Sequence, residues 1–257
     1  KHMDKQSLQP VKGFRDFLPK DAKKRTFLKN KFRETFELFG FEPLETPALE
    51  YQELLLGKYG DEADKLVFRF TDEGGRKVAL RYDQTVPTAR ILAMYRENLP
   101  MPWRRYQIQN SWRAEKPQKG RFREFTQCDA DIFGTTSPLS DAEILATGNT
   151  LLRSLGFKKF KILINDRDIL FQLMERAKIP EDIQLSVIQT IDKLDKKTRG
   201  ETEEELAKKG ISIDSIHLLF DSLDKARPTD RLEKTLEYAR KLGIPDFVFA
   251  FTTRLAR

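Results

Sequence analysis

The sequence predicts an α+β fold on three observations. Helix-period and strand-period segments alternate from residue 21 to residue 164; the stretch from about Asn165 to Gly243 is helix-forming, charged and free of strand patterns; and strand character returns at Phe247-Val248-Phe249-Ala250-Phe251. The first and last regions read as one sheet-bearing core interrupted by a helical subdomain. The expected division is therefore an N-terminal arm over 1–9, a core over 10–165, a helical insertion over 166–244 and a return strand over 245–257. Lys1-His2-Met3 reads as a tag remnant ahead of a start methionine.

Each element has its own signal. Asp21 is a cap for a first helix through Leu28, Phe32, Thr35, Phe36 and Phe39, which Gly40 stops. Two prolines in Phe41-Glu42-Pro43-Leu44-Glu45-Thr46-Pro47 forbid a helix and confine that segment to an edge or interface strand. Val67–Phe70 and Lys77–Arg81 flank Asp72-Glu73-Gly74-Gly75, a hairpin signature. A short helix starts near Val86-Pro87. Residues 103–113 and 121–133 are two strands joined by the polar loop Glu115–Gly120. Ser140-Asp141-Ala142-Glu143 reads as a capping box opening a helix that Gly156 ends, and Phe160–Ile164 alternates as a strand. Beyond it, Pro180, Gly200, Gly210 and Pro228 punctuate the helical stretch.

Composition excludes several classes. Nineteen phenylalanines in 257 residues supply a packed core, so the chain is not disordered. No run of about 18 apolar residues exists to span a membrane. The single cysteine, Cys128, and two histidines make an internal disulfide, a four-cysteine zinc site and a histidine triad improbable, which points to a reduced, cytoplasmic protein. A net charge of +7 favours polyanionic partners, while a lysine-rich solvated surface accounts for it equally well.

The chemistry gathers between Trp112 and Asp131. Side chains alternate faces along a strand, so Arg113 and Glu115 share one face, and Arg121, Arg123, Phe125, Gln127 and Asp131 share one parity on the returning strand. If the hairpin pairs so that these faces coincide, one surface offers guanidinium groups for phosphate, a ring for a base and carboxylates for amines. A solvated hairpin face carrying a stray aromatic is the simpler reading. Asp83 and Thr85 alternate in the same way and add an anion and a hydroxyl, although a helix cap before Val86-Pro87 is the commoner job for either.

Trp112-Arg113-Ala114-Glu115, a basic loop and Arg121-Phe122-Arg123-Glu124-Phe125-Thr126-Gln127 resemble motif 2 of class II aminoacyl-tRNA synthetases, and the first helix with Phe41–Glu50 resembles their motif 1. Val11–Pro19, Leu80–Pro87 and Gln127–Asp131 are similar to the histidyl-tRNA synthetase family in particular. The resemblance implies an antiparallel class II sheet flanked by helices, with an inserted all-helical subdomain. It implies activation of histidine by ATP with Mg2+ carried on the nucleotide, transfer to tRNA(His), and a homodimer formed through motif 1. Position by position, it assigns Arg113 and Arg257 to catalysis. Arg113, Glu115, Arg121 and Phe125 are assigned to ATP, and Asp83, Thr85, Arg113, Gln127 and Asp131 to histidine. Arg104, Arg105, Lys116 and Lys119 fall where members of the family meet the acceptor stem; Lys193, Lys196, Lys197, Arg199, Lys208 and Lys209 are a second possible grip on RNA.

The family's third motif and anticodon-binding domain have no counterpart before Arg257. The expectation is an N-terminal catalytic-core fragment with reduced or no full activity. Two other classes share such a core: the regulatory subunit of ATP phosphoribosyltransferase and the RNA-sensing synthetase-like domains fused to kinases. Retention of Arg113, Glu115, Arg121 and Gln127 favours the catalytic reading.

Overall fold

The computed structural model describes residues 8–57, 66–195 and 197–253; Arg257 and Lys196 lie outside them. The chain divides into two compact units, Lys1–Thr136 and Ser137–Arg257. The change of sequence character near Asn165 thus falls inside the second unit.

The first unit opens with helix α1 (Pro19–Leu38). It begins two residues before Asp21, because Pro19 fits a first turn without needing its missing N–H, and Asp21 lies instead in the first turn, where a carboxylate suits the helix dipole. Gly40 ends the helix with φ at +73°. Strand β1 (Glu42–Pro43) runs parallel to β5 (Trp103–Trp112), and β5 pairs antiparallel with β6 (Glu124–Phe133). The sheet order β1-β5-β6 leaves β1 at an edge, where the missing proline N–H costs no ladder bond. The parallel β1–β5 pairing departs from the all-antiparallel expectation. A second sheet has the order β2-β4-β3, antiparallel throughout, with β2 at Leu49–Tyr51, β3 at Arg69–Thr71 and β4 at Lys77–Leu80. Its β3–β4 turn is the expected hairpin: Asp72 accepts from the Arg76 N–H at 2.8 Å, and Gly75 takes φ +77°. Helices α2 (Gln52–Leu56) and α3 (Thr85–Tyr95) complete the unit.

The second unit starts with α4 (Pro138–Ser154), capped by Ser137, whose side chain accepts from the Leu139 N–H, and not by Ser140, which the proline start leaves inside the first turn. Strand β7 (Ile162–Ile164) pairs in parallel with β8 (Phe249–Phe251). Between them lie α5 (Arg167–Arg176), α6 (Glu181–Ile191), α7 (Arg199–Lys208), α8 (Ile213–Lys225) and α9 (Asp230–Lys241). Ile169, Leu170, Leu173, Val187, Ile191, Leu206, Ile216 and Leu219 form the common core of α5 to α8, whereas Leu232 and Leu236 of α9 pack with Ile164. Gly200 does not punctuate: it sits in the first turn of α7, held by a Thr198–Glu201 capping box.

Charge pairing decides what the lysine-rich segment can offer. Lys193 and Lys197 both bind Glu205, at 2.5 and 2.7 Å, and hold its carboxyl down to about 2. Arg199 pairs with Glu203 at 2.8 Å, and Lys209 ties Ser186 and Thr190 from α6. These four cations have partners within the helical unit, although Lys193, Lys197 and Arg199 stay substantially exposed.

Candidate functional site

The site lies on β5 and β6, whose register runs from Trp103 opposite Phe133 to Trp112 opposite Glu124. Odd-numbered residues therefore oppose odd-numbered residues, and the parity condition holds. One face carries Arg105, Gln107, Gln109 and Ser111 against Phe125, Gln127, Asp129 and Asp131. Arg113 extends that row, its N–H donating to the Arg123 carbonyl at 2.8 Å.

The opposite face is polar towards Asn110, Glu124 and Thr126 and apolar over the rest. Tyr106, Ile108, Cys128, Ala130 and Ile132 pack with Phe32, Phe36, Phe39 and Phe41. Burial, reinforced by the neighbouring Asp129 charge, pushes the Cys128 thiol up to about 11. At pH 8 the thiolate is then about one part in a thousand, so a disulfide reagent should modify native Cys128 on the order of a hundredfold more slowly than a free cysteine. A rate near that of free cysteine would contradict this packing.

Arg113 is fixed from two sides. Its Nε donates to the Tyr82 carbonyl at 3.2 Å, and its guanidinium carbon lies 5.0 Å from the centre of the Phe125 ring. Asp83 is half-buried, which raises its pKa, while the Arg113 charge opposes the rise. One Asp83 oxygen also accepts from the Val86 N–H at 3.3 Å, so the cap and the charge belong to the same carboxyl. Thr85 is exposed in the first turn of α3. Glu115 and Arg121 are exposed on the loop between the strands, where Gln118 and Arg121 exchange backbone hydrogen bonds. The structure thus gathers Asp83, Arg113, Phe125, Gln127 and Asp131, and leaves Glu115 and Arg121 at the loop.

Sequence reasoning missed the role of several polar residues on and behind this face. Arg105 is 2% exposed and forms an ion pair with Asp131, so it belongs to the sheet and not to an RNA-facing surface. Burial raises the Asp129 pKa; Arg105 opposes the shift, and Asp131 and Asp83 reinforce it. Arg81, also 2% exposed, donates to the carbonyls of Thr46, Pro47 and Asn110 at 2.6, 3.0 and 2.9 Å. Gln109 Oε1 accepts from the Thr46 N–H and from Gln107 Nε2, and Gln84 Nε2 donates to the Gln109 carbonyl. Gln84 Oε1, Gln107 Oε1, Ser111 Oγ, Gln127 Oε1 and two nitrogens of Arg105 are buried with no protein partner. These absences hold among the described residues, and such atoms call for a polar ligand or water. Continuing the odd parity down β5, and through residue 129 on β6, was the available signal. Among the described residues, no three His, Cys, Asp or Glu side chains cluster as a metal site.

Comparisons with known proteins agree with this geometry. The family model described as histidyl-tRNA synthetase matches residues 13–246. The histidine–tRNA ligase of Gloeobacter violaceus is 40% identical over 253 residues, covering 90% of this chain and 54% of that protein. A crystal structure of histidyl-tRNA synthetase from Nostoc superposes with a TM-score of 0.85 at 29% identity, over 97% of this chain and 61% of that one. An ATP phosphoribosyltransferase regulatory subunit/histidyl-tRNA synthetase from Bacillus halodurans gives a TM-score of 0.78 at 23% identity, over 96% of this chain and 68% of that one, a likeness of fold. The chain spans about half the length of the curated relatives it matches.

Proposed function

The chain belongs to the histidyl-tRNA synthetase family, and on that premise we propose that its first unit carries part of the site where histidine and ATP become histidyl-adenylate, for later transfer to tRNA(His). The observation that carries this reading is the single face on which Arg113, backed by Tyr82 and Phe125, lies in line with Gln127 and Asp131 and within electrostatic reach of Asp83.

In this reading a carboxylate oxygen of histidine attacks the α-phosphorus, a new P–O bond forms, and pyrophosphate leaves. Negative charge grows on the α-phosphate oxygens during the step, and a guanidinium already fixed in place stabilises it without reorganising. No general base is needed, because an α-carboxyl is ionised at neutral pH. Phe125 stacks on adenine, Glu115 accepts from its amino group and Arg121 meets the outer phosphates. Gln127, with a buried acceptor oxygen awaiting a donor, joins Asp83, Asp131 and Thr85 around the amino acid. Magnesium would arrive with the triphosphate and would neutralise part of its negative charge.

The same reading places Lys116 and Lys119 of the exposed loop against the acceptor stem and pairs two copies through α1, where Phe27, Leu28 and Leu38 are exposed. It also places the enzyme in the cytoplasm; among the described residues, no helix is long and apolar enough to cross a membrane.

The test is a thermal-shift titration with a non-hydrolysable histidyl-adenylate analogue beside its seryl and prolyl counterparts. At a hundred times its dissociation constant, a ligand selective for the native state adds about 2.7 kcal/mol, or about 5–10 °C in a domain of this size. A shift confined to the histidyl compound is expected. No shift, or equal shifts with all three, would overturn the reading.

A further inference from the structure

Two features singled out in the sequence have no place in the proposed chemistry: Arg123, and the arm around Val11–Pro19. The structure brings them together. Arg123 Nε donates to the Glu115 carbonyl at 3.0 Å, and its Nη1 donates to the Lys12 carbonyl at 3.3 Å. Its backbone N–H donates to the Gly13 carbonyl at 2.8 Å, while its own carbonyl accepts from the Arg113 N–H at 2.8 Å. Four bonds at one residue therefore join the arm, the start of the loop at Glu115 and the backbone of Arg113.

The surroundings are built for this contact. Gly13 takes φ +92°, and a Cβ there would lie 2.8 Å from both Cγ and Cδ of Arg123, so a side chain at position 13 would strain the backbone and push Arg123 aside. Phe14 packs on Phe68 with ring centres 6.0 Å apart, and the Arg123 guanidinium lies over the same ring. Arg15 sits over the ring of Phe122, the residue before Arg123. Further along, Arg25 of α1 packs on Phe17 and donates to Thr126 Oγ1 at 2.8 Å. The outgoing strand is gripped at residues 122, 123 and 126 by the arm and the first helix.

We propose that Arg123 is a positioning residue: it clamps the arm against the hairpin so that Glu115, at the mouth of the loop, and Arg113, at the end of the strand, are held in one geometry before nucleotide binds. This rests on the assignment of Glu115 and Arg113 to ATP. The β5–β6 ladder ends at Trp112 opposite Glu124; beyond it, one backbone bond from Arg113 to Arg123 continues the pairing, and the Arg123 side chain ties the Glu115 carbonyl at the mouth of the loop. Removing that side chain leaves the covalent loop intact but lets the Glu115 carbonyl move. The cost falls on nucleotide binding, since loop freedom must then be lost on association.

The experiment uses Arg123→Met, Arg123→Lys, Glu115→Gln and the double variant Arg123→Met/Glu115→Gln, in the chain as it stands. Hydrogen exchange without ligand reads the clamp directly: Arg123→Met should speed exchange in 12–14 and 115–120 together while the β5–β6 ladder stays protected. Isothermal titration with a non-hydrolysable ATP analogue reads its consequence. Arg123→Met should weaken binding about tenfold, the loss expected for one hydrogen bond from a charged donor, and Arg123→Lys should recover part of it. In the Glu115→Gln background the same change should cost threefold or less, because the residue it positions no longer makes its contact.

Equal losses in both backgrounds would overturn the proposal, as would unchanged exchange in both segments. A general loss of protection across the ladder would reduce Arg123 to an ordinary structural residue and overturn it as well. If the parent chain binds no ATP analogue, the functional reading fails, whereas the exchange experiment still decides whether the clamp exists.

Discussion

Arg113→Gln is expected to lower histidine-dependent exchange of pyrophosphate into ATP by two to three orders of magnitude, with the melting temperature changed by no more than a few degrees. The magnitude follows from the timing of the charge. An α-phosphate gains negative charge only as the carboxylate attacks, so a fixed guanidinium binds the transition state more strongly than it binds ATP. Removing one preorganised donor of this kind costs about a hundred- to a thousandfold in rate. Glutamine can still donate a hydrogen bond but brings no charge. Arg113→Lys restores the charge without the two-pronged geometry and should fall between. Stability is spared because Arg113 is only half-buried and its side chain donates to the Tyr82 carbonyl at a long 3.2 Å. The loss should appear in kcat more than in the KM for ATP. Exchange within about threefold of the parent would remove Arg113 from the chemistry.

The case for Arg113 shows how much of this site a sequence can disclose. Alternation along 103–113 and 121–133 was visible, and it separates Arg113, Phe125, Gln127 and Asp131 from the apolar Ile108, Cys128, Ala130 and Ile132. Whether the two faces coincide depends on register, which is fixed by pairing across the hairpin and not by either strand alone. What lies below the face was harder to read. Arg105, Gln107 and Gln109 look like exposed polar residues, because arginine and glutamine usually are. Gln107 is buried and Gln109 half-buried where Thr46 and Arg81, distant in sequence, pack against them, and Arg105 is buried beside Asp131.

Element boundaries taught the same lesson locally. Asp21 and Ser140 each had the chemistry of a cap, yet each helix starts at the preceding proline, Pro19 or Pro138, whose fixed φ already suits a first turn. Gly200 looked like a stop and became part of a first turn, because the Thr198–Glu201 box outweighs one glycine. In the helical stretch, the run of lysines suggested a partner outside the chain, whereas Glu205 alone engages Lys193 and Lys197. Composition counts charges; only the fold says which are already paired.

The largest effect on stability is expected at Arg81, which no chemical role singles out. Its side chain gives Nη1 to the carbonyls of Thr46 and Pro47 and to Gln109 Oε1, and Nε to the carbonyl of Asn110, all in a place 2% exposed. Its backbone donates to the Ala48 carbonyl and accepts from the Trp112 N–H, so the same residue links the segment before β2 to the end of β5. Burial lowers the pKa of Arg81, and Glu50 and Glu45 counter that desolvation through space. Arg81→Leu keeps the volume roughly but strands several acceptors at once. Each buried acceptor left unmet costs about 1–3 kcal/mol, and losses of this kind commonly total about 3–5 kcal/mol. The melting temperature should therefore fall by about 10 °C or more. Arg81→Lys should recover less than half, because one ammonium cannot serve the Thr46–Pro47 side and Asn110 together. A change under about 1 kcal/mol would mean that water or another donor reaches those carbonyls, and that the two strand segments are held by their backbone bonds alone. A large loss would show that the polar layer around Arg81 also supports the fold, so that the candidate site and the stability of the first unit rest on the same buried hydrogen bonds.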